Sequence, residues 1–171
     1  MKKGGVGGAN TRTGLVFERN TDLRTALGQI DGITFYGTSV FRRGQLVGRL
    51  LQKHDLYSFL EERRVPWQRL ISKKLLPDEA YFSIAEQTLI VVEKKFQTVA
   101  GSVDEKLQTC HFKKRQYEKL CGPIDVKVEY VYVLNDWFKH PSYQDVLSYI
   151  NDVGCRYHYS EIPIDILGLD K

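Results

Sequence analysis

Asp78 and Glu93 lie on either side of a segment that reads as a β-hairpin, and Glu93 is followed directly by Lys94 and Lys95. The first predicted strand is Glu79-Ala80-Tyr81-Phe82-Ser83-Ile84, the turn is Ala85-Glu86-Gln87, and the second strand is Thr88-Leu89-Ile90-Val91-Val92. The midpoint between positions 78 and 93 falls inside that turn. Antiparallel pairing therefore sets Asp78 roughly opposite Glu93. Side chains alternate along a strand, so Glu93 and Lys95 share a face and Lys94 points away. Two neighbouring carboxylates repel unless a cation lies between them. A hard divalent ion such as Mg²⁺ takes one or two carboxylates, with waters and a phosphate oxygen completing its shell. Such an ion activates water and stabilises charge on an attacked phosphodiester, and an adjacent lysine adds a further positive charge. The same residues would also make an incidental salt bridge at the end of a surface hairpin.

The elements around the hairpin must hold it in place. A helix capped by Thr13 is expected to run to about Gln29, with Val16, Leu23, Leu27 and Ile30 near helical spacing, ended by Asp31-Gly32. Short strands and turns follow from Ile33 to Leu51. Asp55 is expected to cap a helix carrying Leu56, Phe59 and Leu60, and Pro66 to open another whose Trp67, Leu70, Ile71 and Leu75 share a face. After the hairpin, Ser102-x-x-Glu105 reads as a capping box opening one helix with Val103, Leu107, Cys110, Tyr117 and Cys121 inward. Val126 to Leu134 reads as a strand. A helix capped by Ser142, with Tyr143, Val146, Leu147, Ile150 and Val153 buried, ends at Gly154, and Arg156 to Ile162 reads as a last strand. This order predicts a mixed α+β fold of the α/β class, a central mixed β-sheet flanked by helices.

The length of 171 residues suits one soluble globular domain, and no apolar run approaches the roughly 18 residues that cross a bilayer. Lys2 and Lys3 have no apolar segment behind them, which argues against a secretory signal. Cys110, Cys121 and Cys155 are an odd count with no metal-ligand spacing, so they read as core fillers in a reducing, cytoplasmic setting. The four histidines, His54, His111, His140 and His158, have no metal spacing either. Residues 1–76 hold 14 Lys/Arg against 6 Asp/Glu, whereas residues 77–171 hold 11 against 15. A basic half beside an acidic half suggests a polyanion-binding part joined to a part that keeps carboxylates for another purpose.

Pro77-Asp78, a hairpin and then Glu93-Lys94-Lys95 resembles the PD-(D/E)XK nuclease superfamily, which includes small type II restriction endonucleases. Glu18 on a preceding helix, Gln97 just beyond the lysine, the stretch from Gly101 to Thr109 and the helix–strand–helix succession after the hairpin fit the same pattern. The resemblance spans about residues 11 to 165 and implies a restriction-endonuclease-like fold. It makes Asp78 and Glu93 ligands of Mg²⁺ and Lys95 the catalytic lysine, with Glu18 and Gln97 as accessory residues. The slot between Glu93 and Lys95 is often apolar in the family. Lys94 occupies it here and is a rival for the catalytic lysine, although strand alternation favours Lys95.

On this reading the chain is a single nuclease domain with a Gly-rich basic arm over 1–12, a basic part over 13–76 and a catalytic core over 77–171. The expected activity is Mg²⁺-dependent, site-specific cleavage of double-stranded DNA, by a homodimer if both strands of a palindromic site are cut. Arg12, Arg42, Arg43, Arg63, Arg64, Arg69, Lys73 and Lys74 are candidate DNA contacts, and Lys113-Lys114-Arg115 is a further basic run suited to phosphate. A Holliday-junction resolvase, a homing endonuclease and a non-catalytic DNA-binding protein are the alternatives.

Overall fold

The computed structural model describes residues 12–99, 101 and 103–169. Residues 1–11 of the Gly-rich arm and Ser102 of the expected capping box lie outside these, as does the side chain of Arg12. One seven-stranded sheet follows chain order: β1 (Ile33–Tyr36), β2 (Ser39–Arg42), β3 (Gln45–Leu50), β4 (Glu79–Ser83), β5 (Thr88–Lys95), β6 (Lys127–Leu134) and β7 (Arg156–Tyr159). The strands from β1 to β5 pair antiparallel, whereas β6 and β7 join parallel to β5. The sheet is thus mixed, and the β3–β4 ladder ties the basic half of the chain to the acidic half.

Helices cover both faces, which is why the central strands are apolar on both sides. On one face α3 (Asp55–Glu62), α6 (Cys110–Cys121) and α7 (Gln144–Asp152) pack Phe59, Tyr117 and Ile150 against Phe82, Val91 and Tyr132. On the other, α1 (Arg12–Asn20), α2 (Leu23–Gly28) and the C-terminal segment pack Phe17, Leu27 and Leu167 against Tyr81, Val92 and Val133. The remaining helices, α4 (Trp67–Leu70) and α5 (Val103–Leu107), are short. Cys110, Cys121 and Cys155 are free and buried in the first of these cores.

Several expected boundaries are corrected. The helix expected from Thr13 to Gln29 is two helices, because the Thr21 hydroxyl donates back to Phe17 O at 2.7 Å and Asp22 caps the second by accepting from Thr25 N at 2.7 Å. The helix expected after Ser102 also breaks, between α5 and α6, where the Thr109 hydroxyl closes a turn onto Lys106 O at 2.7 Å. Pro66 opens only one turn, since the backbone is extended at Ile71. The cap ahead of α7 is the His140 ring, which accepts from Ser142 N, and a short 3₁₀ turn precedes the helix. Likewise β7 stops at Tyr159 rather than Ile162.

The break between α1 and α2 has a distant cause as well. Glu79 at the start of β4 is buried, and its Oε2 accepts from Leu23 N, at the first residue of α2, at 2.6 Å. Its Oε1 accepts from Lys94 Nζ at 2.5 Å, with both side chains less than a tenth exposed. Burial pushes the Glu79 carboxyl above the usual glutamate range, while Lys94 and the Leu23 N–H oppose that shift. Glu79 thus fastens α2 to the hairpin and balances a buried ammonium. Replacing it alone strands that charge, so Glu79→Ala is expected to cost about 3–5 kcal/mol in urea unfolding. The double variant Glu79→Leu/Lys94→Met is expected to recover most of this loss.

Candidate active site

Asp78, Glu93 and Lys95 gather at one end of the β4–β5 pair. The paired register of this hairpin ends at Glu79 opposite Val92, so the next step sets Asp78 level with Glu93. Asp78 Oδ2 accepts from Lys94 N at 3.2 Å and thereby extends the ladder by one side-chain bond. The approach to Asp78 is fixed from behind. Lys53 N donates to Pro77 O at 3.1 Å, and the Tyr57 hydroxyl bridges both backbone groups of Leu75, accepting at 2.7 Å and donating at 3.0 Å.

Glu93 and Lys95 sit at the carboxyl end of β5, beside the carboxyl end of the parallel strand β6, where Glu93 pairs with Tyr132 and Lys95 with Leu134. Ligand crevices of parallel strands open at this end. The Glu93 side chain is only 6% exposed, and its Oε2 accepts from Lys95 Nζ and from Lys113 Nζ, each at 2.9 Å. Lys113 comes from α6, one turn before Tyr117. Below them the rings of Tyr117 and Tyr130 stack at 6.3 Å, and Tyr130 meets Tyr132 edge-on at 5.4 Å. Burial pushes the Glu93 carboxyl up, but the two ammonium groups together pull harder and hold it below the usual range.

Lys94 points to the opposite face and is occupied by Glu79. Glu18 lies on that side too, with its Oε2 3.9 Å from Lys94 Nζ. A cleft of about 280 Å³ lined by Glu18, Lys53, Asp78, Glu79 and Lys94 joins Glu18 to the Asp78 end of the site, and Glu93 is not part of its lining. Gln97 is buried, and both atoms of its side-chain amide lack a hydrogen-bond partner among the described residues. Phe96 packs on Phe17 on the α1 side, so alternation sends Gln97 toward the Glu93 side. Its backbone is clamped by Asn135, which accepts from Gln97 N at 3.0 Å and donates to Gln97 O at 2.8 Å.

The candidate DNA residues with described side chains fall in two stretches of chain. Arg42 is bonded to Leu169 O and Arg43 to Asp31 at 3.0 Å, both at the β2–β3 turn. Arg63 lies 3.7 Å over the Phe59 ring, and Lys74 lies about equally close to the Tyr57 and Trp67 rings, at 4.6 and 4.5 Å. Arg64, Arg69 and Lys73 are exposed on the same α3–α4 stretch of chain.

Sequence reasoning missed Glu79 and Asn135, and saw Lys113 only as part of a basic run. The one available signal was that Lys113 falls a helical turn from Tyr117 on the buried stripe. As a donor set, Asp78 and Glu93 suit a hydrated hard cation that takes further oxygens from water and substrate. Among the described residues no three His, Cys, Asp or Glu side chains cluster closely enough to cage a metal by themselves. None of the described helices is long and apolar enough to cross a membrane. No family model, curated protein or solved structure matches this chain.

Two outcomes follow for the unliganded protein. A buried amide without partners costs about 1–3 kcal/mol, so Gln97→Met is expected to leave the urea midpoint unchanged or higher. Because the Glu93 carboxyl is held low in the folded state, its ionised form contributes fully above about pH 4.3, the ordinary glutamate value, and that contribution is lost as pH falls through the lower folded value. The stability gap between wild type and Glu93→Gln in urea unfolding is therefore expected to narrow on acidification below about pH 4. A gap that stays constant to pH 3 contradicts this account of Glu93.

Proposed function

We propose that the chain is a Mg²⁺-dependent endodeoxyribonuclease of the restriction type, with a restriction-endonuclease-like sheet, that hydrolyses phosphodiesters in double-stranded DNA. The observation that carries this reading is Asp78 level with Glu93, with Lys95 on the same strand face at 2.9 Å from Glu93. The resemblance of Pro77-Asp78 and Glu93-Lys94-Lys95 to the nuclease pattern supports it. Lys94, the rival, is taken up by a buried ion pair on the other face, which leaves Lys95 as the lysine beside the carboxylates.

Asp78 and Glu93 would hold the cation. The bound cation supplies Lewis-acid stabilisation of charge on the phosphodiester and lowers the pKa of a water. The carboxylates of Asp78 and Glu93 balance the ammonium groups of Lys95 and Lys113, so binding a divalent ion leaves the site positive and ready for a phosphodiester. Lys95 donates to the attacking oxygen or to a non-bridging phosphate oxygen and orients it in line. A water oxygen bonds to phosphorus, and the bond to the 3′ oxygen breaks. One water proton is released, the departing oxygen takes up a proton, and the products are a 5′-phosphate and a 3′-hydroxyl. The Gln97 amide, unpartnered among the described residues, orders water or a phosphate oxygen beside this centre. Since one site cuts one strand, cleavage of a palindromic duplex is the work of a two-fold homodimer.

The test is digestion of long, sequence-diverse duplex DNA with Mg²⁺ by wild type, by Asp78→Ala, and by wild type with a chelator. Discrete fragments are expected from wild type alone, with the rate in Asp78→Ala lower by about 10³-fold or more, since several kcal/mol of transition-state stabilisation is lost. Cutting of branched DNA but not duplex favours the junction-resolving alternative. Binding without cutting of either overturns the enzyme reading.

A further inference from the structure

One oxygen of Glu93 carries two ammonium groups, which is more than an ion pair needs. Lys95 Nζ and Lys113 Nζ both lie 2.9 Å from Oε2, so its lone-pair positions are filled. A carboxylate in this state is a poor partner for a second cation until one ammonium leaves. The two lysines are not equally free to do so. Lys95 extends from β5 and rests 5.7 Å from the centroid of the Tyr132 ring, with 15% of its side chain exposed. Lys113 reaches down from α6 and is 25% exposed, the more accessible side chain of the two. Its neighbours on α6, Lys114 and Arg115, pair with Glu118 and Lys114 also donates to Gly154 O, which leaves Lys113 as the member of the run that faces the carboxylates.

We propose that Lys113 is a second phosphate-binding lysine, which holds Glu93 in the free protein and moves its ammonium to a non-bridging oxygen of the scissile phosphodiester when a divalent cation takes its place on the carboxylate. This rests on the nuclease reading above. The exchange gives a buried carboxylate a cationic partner before the divalent cation arrives. It also keeps the ammonium paired throughout, since it leaves one anion for another. Lys113 therefore competes with the cation on the free protein and cooperates with it on the DNA complex.

That opposition of signs gives a test that a merely structural lysine fails. Mn²⁺ binding to DNA-free protein is measured by electron paramagnetic resonance, and cleavage of duplex DNA by steady-state kinetics with Mg²⁺, for wild type, Lys113→Met and Lys113→Arg. Lys113→Met is expected to bind Mn²⁺ several-fold more tightly, because Glu93 loses a competitor, yet to cleave about 10²-fold more slowly. Lys113→Arg, which keeps the charge, is expected to recover most of the cleavage and to bind Mn²⁺ close to the wild-type affinity. Weaker or unchanged Mn²⁺ binding by folded Lys113→Met, or cleavage at the wild-type rate, overturns the assignment while leaving the nuclease reading in place. Should Lys113→Met fail to fold, wild-type cleavage and Mn²⁺ affinity in a folded Lys113→Gln protein overturn it equally. Wild-type protein that neither binds Mn²⁺ nor cuts DNA overturns the nuclease reading and the Lys113 assignment with it.

Discussion

Glu93, Lys94 and Lys95 are consecutive on one strand, and a strand cannot turn three consecutive side chains to one face. This constraint divides the charges at the end of β5 into two sets with different fates. Lys94 goes under α1 and α2, where Glu79 neutralises it and ties the start of α2 to the hairpin. Glu93 and Lys95 go to the face covered by α6, where Lys113 joins them. Most of the local architecture follows from this division. The break between α1 and α2, the depth of Glu79 and the approach of α6 are each arranged around one of these side chains.

The two sets differ in what their charges can do. The Lys94–Glu79 pair is largely buried, and Glu79 has its second oxygen satisfied by a backbone N–H. Such a pair is costly to break and has little left to offer a ligand. At Glu93 the balance is otherwise. One oxygen is crowded by two ammonium groups, a second carboxylate stands level with it just ahead of β4, and the buried Gln97 amide has no partner among the described residues. Unsatisfied capacity beside excess charge is the mark of a place prepared for something polar to bind.

The hairpin and its register were legible because both strands are apolar and bounded by polar turns, and a slip of one residue would turn Tyr81 and Val91 to the wrong faces. The alternation that separates Lys94 from Lys95 was legible for the same reason. The breaks after Asn20 and after Leu107 were not. The apolar stripe continues through both, while the interruption comes from threonine hydroxyls and, at Leu23, from a glutamate 56 residues away. Glu18 was placed on a suitable helix, but its face could be known only from how α1 packs on the sheet. Lys113 and Asn135 depend on the docking of α6 and on the parallel neighbour β6, contacts distant in sequence that leave no local pattern.

The central claim is that Asp78 and Glu93 together hold one divalent cation against a phosphodiester. It is tested most directly by crystallising the protein with duplex DNA and Mn²⁺ and recording anomalous scattering. The account predicts a peak between the two side chains, about 2.1 Å from an oxygen of each. Occupied DNA with no peak there, or with a peak at the Glu18–Lys94 cleft instead, would contradict it.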